Sequence, residues 1–156
     1  MIFLKVFFGS FIPFSIYSLL LIAQISSTWF MVGLIWLIQI VSYPLFNFVG
    51  DRDFISYHHN HVSRITPVVG FVMLVEVLSA IALLVFFFDL IQMTIILAMI
   101  FLLVLIWVST AFFQLQYHMK LLHFKNLRII RLLIYTNWVR TFAWTIKGIL
   151  CWGLFF

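Results

Sequence analysis

Three of the five histidines stand in one run, Tyr57-His58-His59-Asn60-His61. On a helix, His58 and His61 share a face at i,i+3, while His59 points elsewhere. Neutral imidazoles placed this way can ligate a transition metal or exchange a proton near neutral pH. Three other stretches carry groups suited to join them: Gln39 with Tyr43, Gln114 with His118, and Asn137 with Arg140. Each pair is spaced so that both members lie on one helical face. Glu76 stands alone within a long apolar run, and Lys147 follows Arg140 by two helical turns.

The rest of the chain must hold these groups in an unusually apolar setting. Of its 156 residues, 66% are hydrophobic and 8% charged, with a mean hydropathy of +1.24. Soluble domains lie near roughly 45–50% apolar. About 20 apolar residues cross a bilayer as a helix. The pattern predicts an all-α fold, an integral membrane four-helix bundle forming one domain over residues 1–156. The predicted spans are about 14–43, 65–88, 93–117 and 132–154, with 53–64 as an interfacial helical turn bearing the histidines. The first stretch would be ~45 Å long against a ~30 Å core, so it must tilt or project. Breaking it at Gln24–Thr28 gives two shorter helices and ranks second.

Residues 1–13, with Lys5 and Pro13, read as an uncleaved extension that breaks before the first span. Gly50 marks a turn, with Asp51 or Asp53 as the cap of the next helix. Pro67 predicts a kink between the histidines and the second span, and Asp89 a tight turn after it.

Four spans bring Gln39, Tyr43, His58, His61, Gln114, His118, Asn137 and Arg140 to one membrane face. Arg52, Arg64, Lys120, Lys125, Arg128 and Arg131 gather on that face too, six of the nine basic residues. The positive-inside rule makes it cytoplasmic and leaves both termini outside. The net charge of +5 then serves topology and lipid contact rather than nucleic acid. A charge at mid-membrane costs roughly 2.5–3.5 kcal/mol even on lenient scales. Arg140 and Lys147 should therefore face inward, where Glu76 is the acidic partner for a buried ion pair with either.

Several chemistries fit the histidine layer. In the first, His58, His61 and His118 act in acid–base catalysis, and Gln39, Tyr43, Gln114, Asn137 and Arg140 bind a small aromatic or quinone-like ligand. Arg140 would steady an oxyanion while a histidine removes a proton. In the second, His58, His61 and His118 are metal ligands, or His61 and His118 hold a haem axially. Glu76 lies ~27 Å along the helix from His58, too far to complete that set. In the third, the chain is a non-enzymatic accessory subunit whose polar residues hold helices together or meet a protein partner or a second copy. Transport ranks below these, because one central acidic residue and no inverted repeat are visible. Cys151 is the single cysteine, which excludes a disulfide or redox pair within the chain.

Specific stretches also carry a resemblance. Trp36-Leu37-Ile38-Gln39 with Tyr43-Pro44-Leu45-Phe46, Tyr57-His58-x-x-His61, Gln114-x-x-x-His118 and Thr136-Asn137-Trp138-Val139-Arg140-Thr141 resemble those of small bacterial four-span membrane proteins, over most of residues 27–148. The closing Asn-Trp-x-Arg-Thr and its preceding basic loop are more distantly similar to the anthrone-oxygenase-like membrane family, mainly across spans three and four. That second resemblance implies oxygenation of a polyphenolic anthrone without an obvious metal motif.

Overall fold

The computed structural model describes residues 14–87 and 93–154. The extension with Lys5 and Pro13 and the turn at Asp89 lie outside the described residues. Helix α1 is Phe14–Leu37 and runs on through a π-helical turn, Ile38–Ser42, one α turn, Tyr43–Leu45, and a 3-10 turn, Phe46–Phe48. Helix α2 is Asp51–Phe86. Helix α3 is Met93–Ser109, prolonged by a second π-turn, Thr110–Gln114, and by Leu115–Leu121. Helix α4 is Leu127–Leu150, closed by a 3-10 turn, Cys151–Leu154. The fold is the expected all-α four-helix bundle.

Three stretches, Ile16–Phe48, Asp51–Phe86 and Met93–Leu121, are long and apolar enough to cross a membrane. Helices dominate because hydrocarbon offers no partner for a free peptide group, so each segment must satisfy its own backbone. Side chains follow the same logic. Leu19, Ile22, Phe71, Phe101, Phe112 and Ile149 point outward and are exposed, while Gln24, His58, Glu76, Asn137 and Lys147 are fully buried.

The histidine-bearing turn and the apolar part of the second helix form one helix, with Pro67 inside it. One expectation for this helix needs correction. The cap position is taken by Gly50 without a side-chain cap. Asp51 and Asp53 instead occupy the first turn, where a carboxylate complements the helix dipole. Asp51 is further held by Lys125 at 2.9 Å, and Lys125 also donates to the Val49 carbonyl at 2.7 Å.

Helix α1 packs against α2 and α4, α3 packs chiefly on α4, and α2 meets α3 more lightly. One apolar cluster, including Met31, Ile35, Phe46, Met73, Ile106 and Trp144, fills most of the interior. A smaller one around Leu83 and Ile96 closes the other end.

Close approach of α1 and α4 depends on Gly148. A Cβ there would lie 3.1 Å from Val32 Cγ2 and 3.6 Å from the Trp29 ring. Small residues let membrane helices meet at short range. Gly148→Val should therefore cost about 1–3 kcal/mol by overpacking, read as a lowered melting temperature of the detergent-solubilised protein. An unchanged melting temperature would show that the two helices can separate there at no cost.

Candidate functional site

The bundle interior holds two polar layers. The first gathers the histidines. Tyr43 Oη lies 3.0 Å from His118 Nε2, and His118 Nδ1 lies 3.3 Å from His58 Nε2. The His58 and His118 planes differ by 22° with centroids 5.1 Å apart. With their nitrogens that close, these rings meet edge to edge. His61 completes the trio, its centroid 6.1 Å from that of His118 and 6.4 Å from that of His58. Phe46 packs edgewise on His58 and His61 at 5.1 and 5.0 Å, and Phe54 lies nearly parallel to His58 at 5.5 Å. The three histidines expected to meet do meet.

They do not form the expected metal set. Among the described residues, no group of three His, Cys, Asp or Glu side chains is placed to hold a metal ion. The physical reason is visible in the ring contacts. Both nitrogens of His118 and Nε2 of His58 are used instead in the Tyr43–His118–His58 row.

The amides sit at the two π-turns. Pro44 has no N–H to give the Ile40 carbonyl, so an α-helical bond is lost there. The backbone widens into the π-turn Ile38–Ser42, with the Tyr43 N–H reaching back to the Ile38 carbonyl. In the third helix Thr110 Oγ1 donates to the Ile106 carbonyl at 2.7 Å. Such back-bonding competes with the helix ladder and often bends it; a π-turn begins at that residue, and the Leu115 N–H reaches the Thr110 carbonyl. π-turns are rare and recur at functional sites. Here each carries a buried glutamine, Gln39 and Gln114.

Both glutamines turn toward α4. Gln39 Oε1 accepts from Asn137 Nδ2 at 2.8 Å and from Thr141 Oγ1 at 3.4 Å. Gln39 Nε2 donates to the Ile134 carbonyl at 3.2 Å, and Gln114 Nε2 to Thr136 Oγ1 at 3.0 Å. Arg140 lies against Tyr43 and over the Trp144 ring, 5.2 Å from its centroid. All eight residues expected at this level are present in it.

This layer also carries open valences. His58 Nδ1, His61 Nε2, Gln114 Oε1, Asn137 Oδ1 and Arg140 Nε are buried without a hydrogen-bond partner. Buried polar atoms are nearly always paired, and each exception calls for a cause such as water or a ligand. The groove lined by Ser18, Leu21, Ile22, Ile25 and Ser26 lies elsewhere, on the first helix.

The second layer is the ion pair. Glu76 pairs with Lys147, both wholly buried. Arg140 is not in this pair, which corrects one of the two expected partnerships. Lys147 stands two turns further along α4 and reaches Glu76 directly, while Arg140 is drawn to Tyr43 and Trp144. Around the pair, Thr28 Oγ1 donates to Glu76 Oε1 at 2.8 Å and accepts from Lys147 Nζ at 2.8 Å. Trp144 Nε1 donates to Glu76 Oε2 at 3.1 Å. Ser79 Oγ donates to Gln24 Oε1 at 2.6 Å. Gln24 and Thr28, four residues apart on the first helix, belong to this layer. Their spacing, matched by Glu76 and Ser79 on α2, was a signal of it in the sequence.

Comparison with family models, with curated proteins and with solved structures finds no match for this chain.

Proposed function

We propose that this chain is an integral membrane protein of a bacterial inner membrane that binds a small aromatic or quinone-like ligand in its histidine layer. The observation that carries the reading is the set of unpartnered buried atoms on His58, His61, Gln114, Asn137 and Arg140, walled by the rings of Tyr43, Phe46, Phe54 and Trp144. Apolar sites with a few placed polar groups are the usual form of small-molecule pockets. A flat ring bearing one or two oxygens matches the mixture: the arginine donates to an oxygen, the amide oxygens accept from a hydroxyl, and a neutral imidazole does either. A phenolic proton would pass to His58 or His61, and Arg140 would hold the oxyanion.

Phe46 is fully buried between the two histidines, so entry requires the 46–48 turn to yield. The fourth helix completes the crossing in this reading, the histidine end is cytoplasmic, and both termini are outside. The resemblance to the anthrone-oxygenase-like family favours a phenolic ligand over a carboxylic one.

Thermal unfolding of the purified protein with a panel of short-chain quinones and phenols tests the proposal. At least one class should raise the melting temperature by several degrees, and Arg140→Gln or His61→Ala should abolish that rise. A panel without effect on the wild type, in protein that is folded and free of other bound molecules, would overturn it. Retention of the rise in both variants would move the ligand to another place.

A further inference from the structure

The basic residues at the histidine end occupy a narrow band of depth. The apolar part of α2, Ile65 to Phe86, is about 33 Å long, which matches the ~30 Å hydrocarbon layer. Arg64, exposed, thus stands at the hydrocarbon edge. Helices α2 and α4 run in the same direction and are pinned together at Glu76 and Lys147. Arg131 precedes Lys147 by as many residues as Asn60 precedes Glu76, so it lies about 6 Å beyond the edge. Arg128 lies one turn further out, about 10 Å beyond it. The third helix is pinned to α2 where His118 meets His58, which sets Lys120 about 12 Å out.

Headgroup layers are about 5–8 Å thick on each side of the hydrocarbon. Arg131, Arg128 and Lys120 therefore span the headgroup phosphates and the water just outside them. All three are exposed, as is His123 in the connection between α3 and α4. No acidic residue occurs between Lys120 and Arg131. Of the two carboxylates at this end, Asp51 is engaged by Lys125. The first amides of α4 are not available to an anion, because Asn126 Oδ1 already takes the N–H groups of Arg128 and Ile129 at 2.9 and 3.2 Å.

We infer that the α3–α4 hairpin, through Lys120, Arg128 and Arg131, is a binding surface for the headgroups of anionic phospholipids. The charge, its exposure and its depth agree on this partner. An RNA or an acidic peptide would match the charge but gives no reason for the three groups to lie at headgroup depth. Each basic side chain near an anionic leaflet strengthens association about fivefold.

The test uses the full chain in bilayers that mix phosphatidylcholine with phosphatidylglycerol, each in turn brominated on its acyl chains to quench tryptophan fluorescence. Trp138, close to the hydrocarbon edge by the same reckoning, is one of the reporters. Wild-type protein should prefer phosphatidylglycerol by tenfold or more, and the Lys120→Gln/Arg128→Gln/Arg131→Gln variant should show a preference near one. The substituted side chains are exposed, so an unchanged melting temperature in pure phosphatidylcholine would confirm that the variant folds. Equal quenching by the two lipids in the wild type, or a preference retained in the variant, would overturn the inference. Competition by inorganic phosphate beyond that of chloride at equal ionic strength would also overturn it, assigning the surface to a free anion. Tight binding of a short RNA at physiological salt, without lipid preference, would do the same in favour of nucleic acid.

Discussion

Glu76→Ala should be the most damaging single substitution in the bundle, lowering stability by about 3–5 kcal/mol. Removing one member of a buried ion pair leaves the other charge without compensation, and that loss sets the scale. Lys147, with no exposure, would keep one hydroxyl partner, Thr28, for its ammonium. Trp144 Nε1 would lose its acceptor as well. The measurement is thermal or denaturant unfolding in detergent, with Glu76→Met/Lys147→Met as the control. Replacing a whole buried pair by apolar residues is often neutral or stabilising. The double variant should therefore recover most of the loss, short of what Thr28 and Trp144 forfeit. If the single and double variants are equally unstable, the pair is not what holds these helices together.

Trp144→Ala should come next, at about 3 kcal/mol, the lower end for deleting a large buried ring. Its consequence is not only a cavity. Trp144 joins the two polar layers, giving its N–H to Glu76 and its face to Arg140. Arginine over an aromatic face gains about 0.5–2 kcal/mol, more where water is excluded. Without the ring, Arg140 loses the surface that keeps its guanidinium level with Tyr43. Trp144→Phe keeps a face and loses the N–H, so it should cost about 1–2 kcal/mol, in line with an orphaned buried acceptor. A double-mutant cycle with Arg140→Gln separates the two effects. Trp144→Ala should be less costly in the Arg140→Gln background, and strict additivity would show that the ring does not support the arginine.

Much of this arrangement was legible in the sequence because lipid makes polar residues conspicuous. In a chain with four acidic residues, a mid-span glutamate had to find a cation, and α4 offered two. What periodicity could not decide was which one. Arg140 and Lys147 are two turns apart on one face, and the choice depended on the offset of α4 against α2, a tertiary quantity. The histidine layer was legible for a related reason, since topology alone returns Tyr43, His58 and His118 to one end. Its inner geometry was not. Whether three imidazoles converge on a cation or bond to one another depends on ring rotations that spacing does not encode. On the second helix the histidine turns and the apolar span read as parts of one helix running through Pro67, and they form one.

The two π-turns carry a consequence for the phase of the chain. Each one accommodates an extra residue within a turn, and one residue advances an α-helix by about 100°. Everything beyond Ser42 and beyond Gln114 is thus rotated relative to the membrane-embedded part of its own helix. Tyr43 and His118 owe their inward aim to that rotation. Rewinding either turn as ordinary α-helix with no residue removed would turn the head by about 100° and aim its aromatic and imidazole groups at the surroundings. A sequence one residue shorter at either place would close the widened turn and keep the head in phase, so the extra residue and the π-turn compensate for each other.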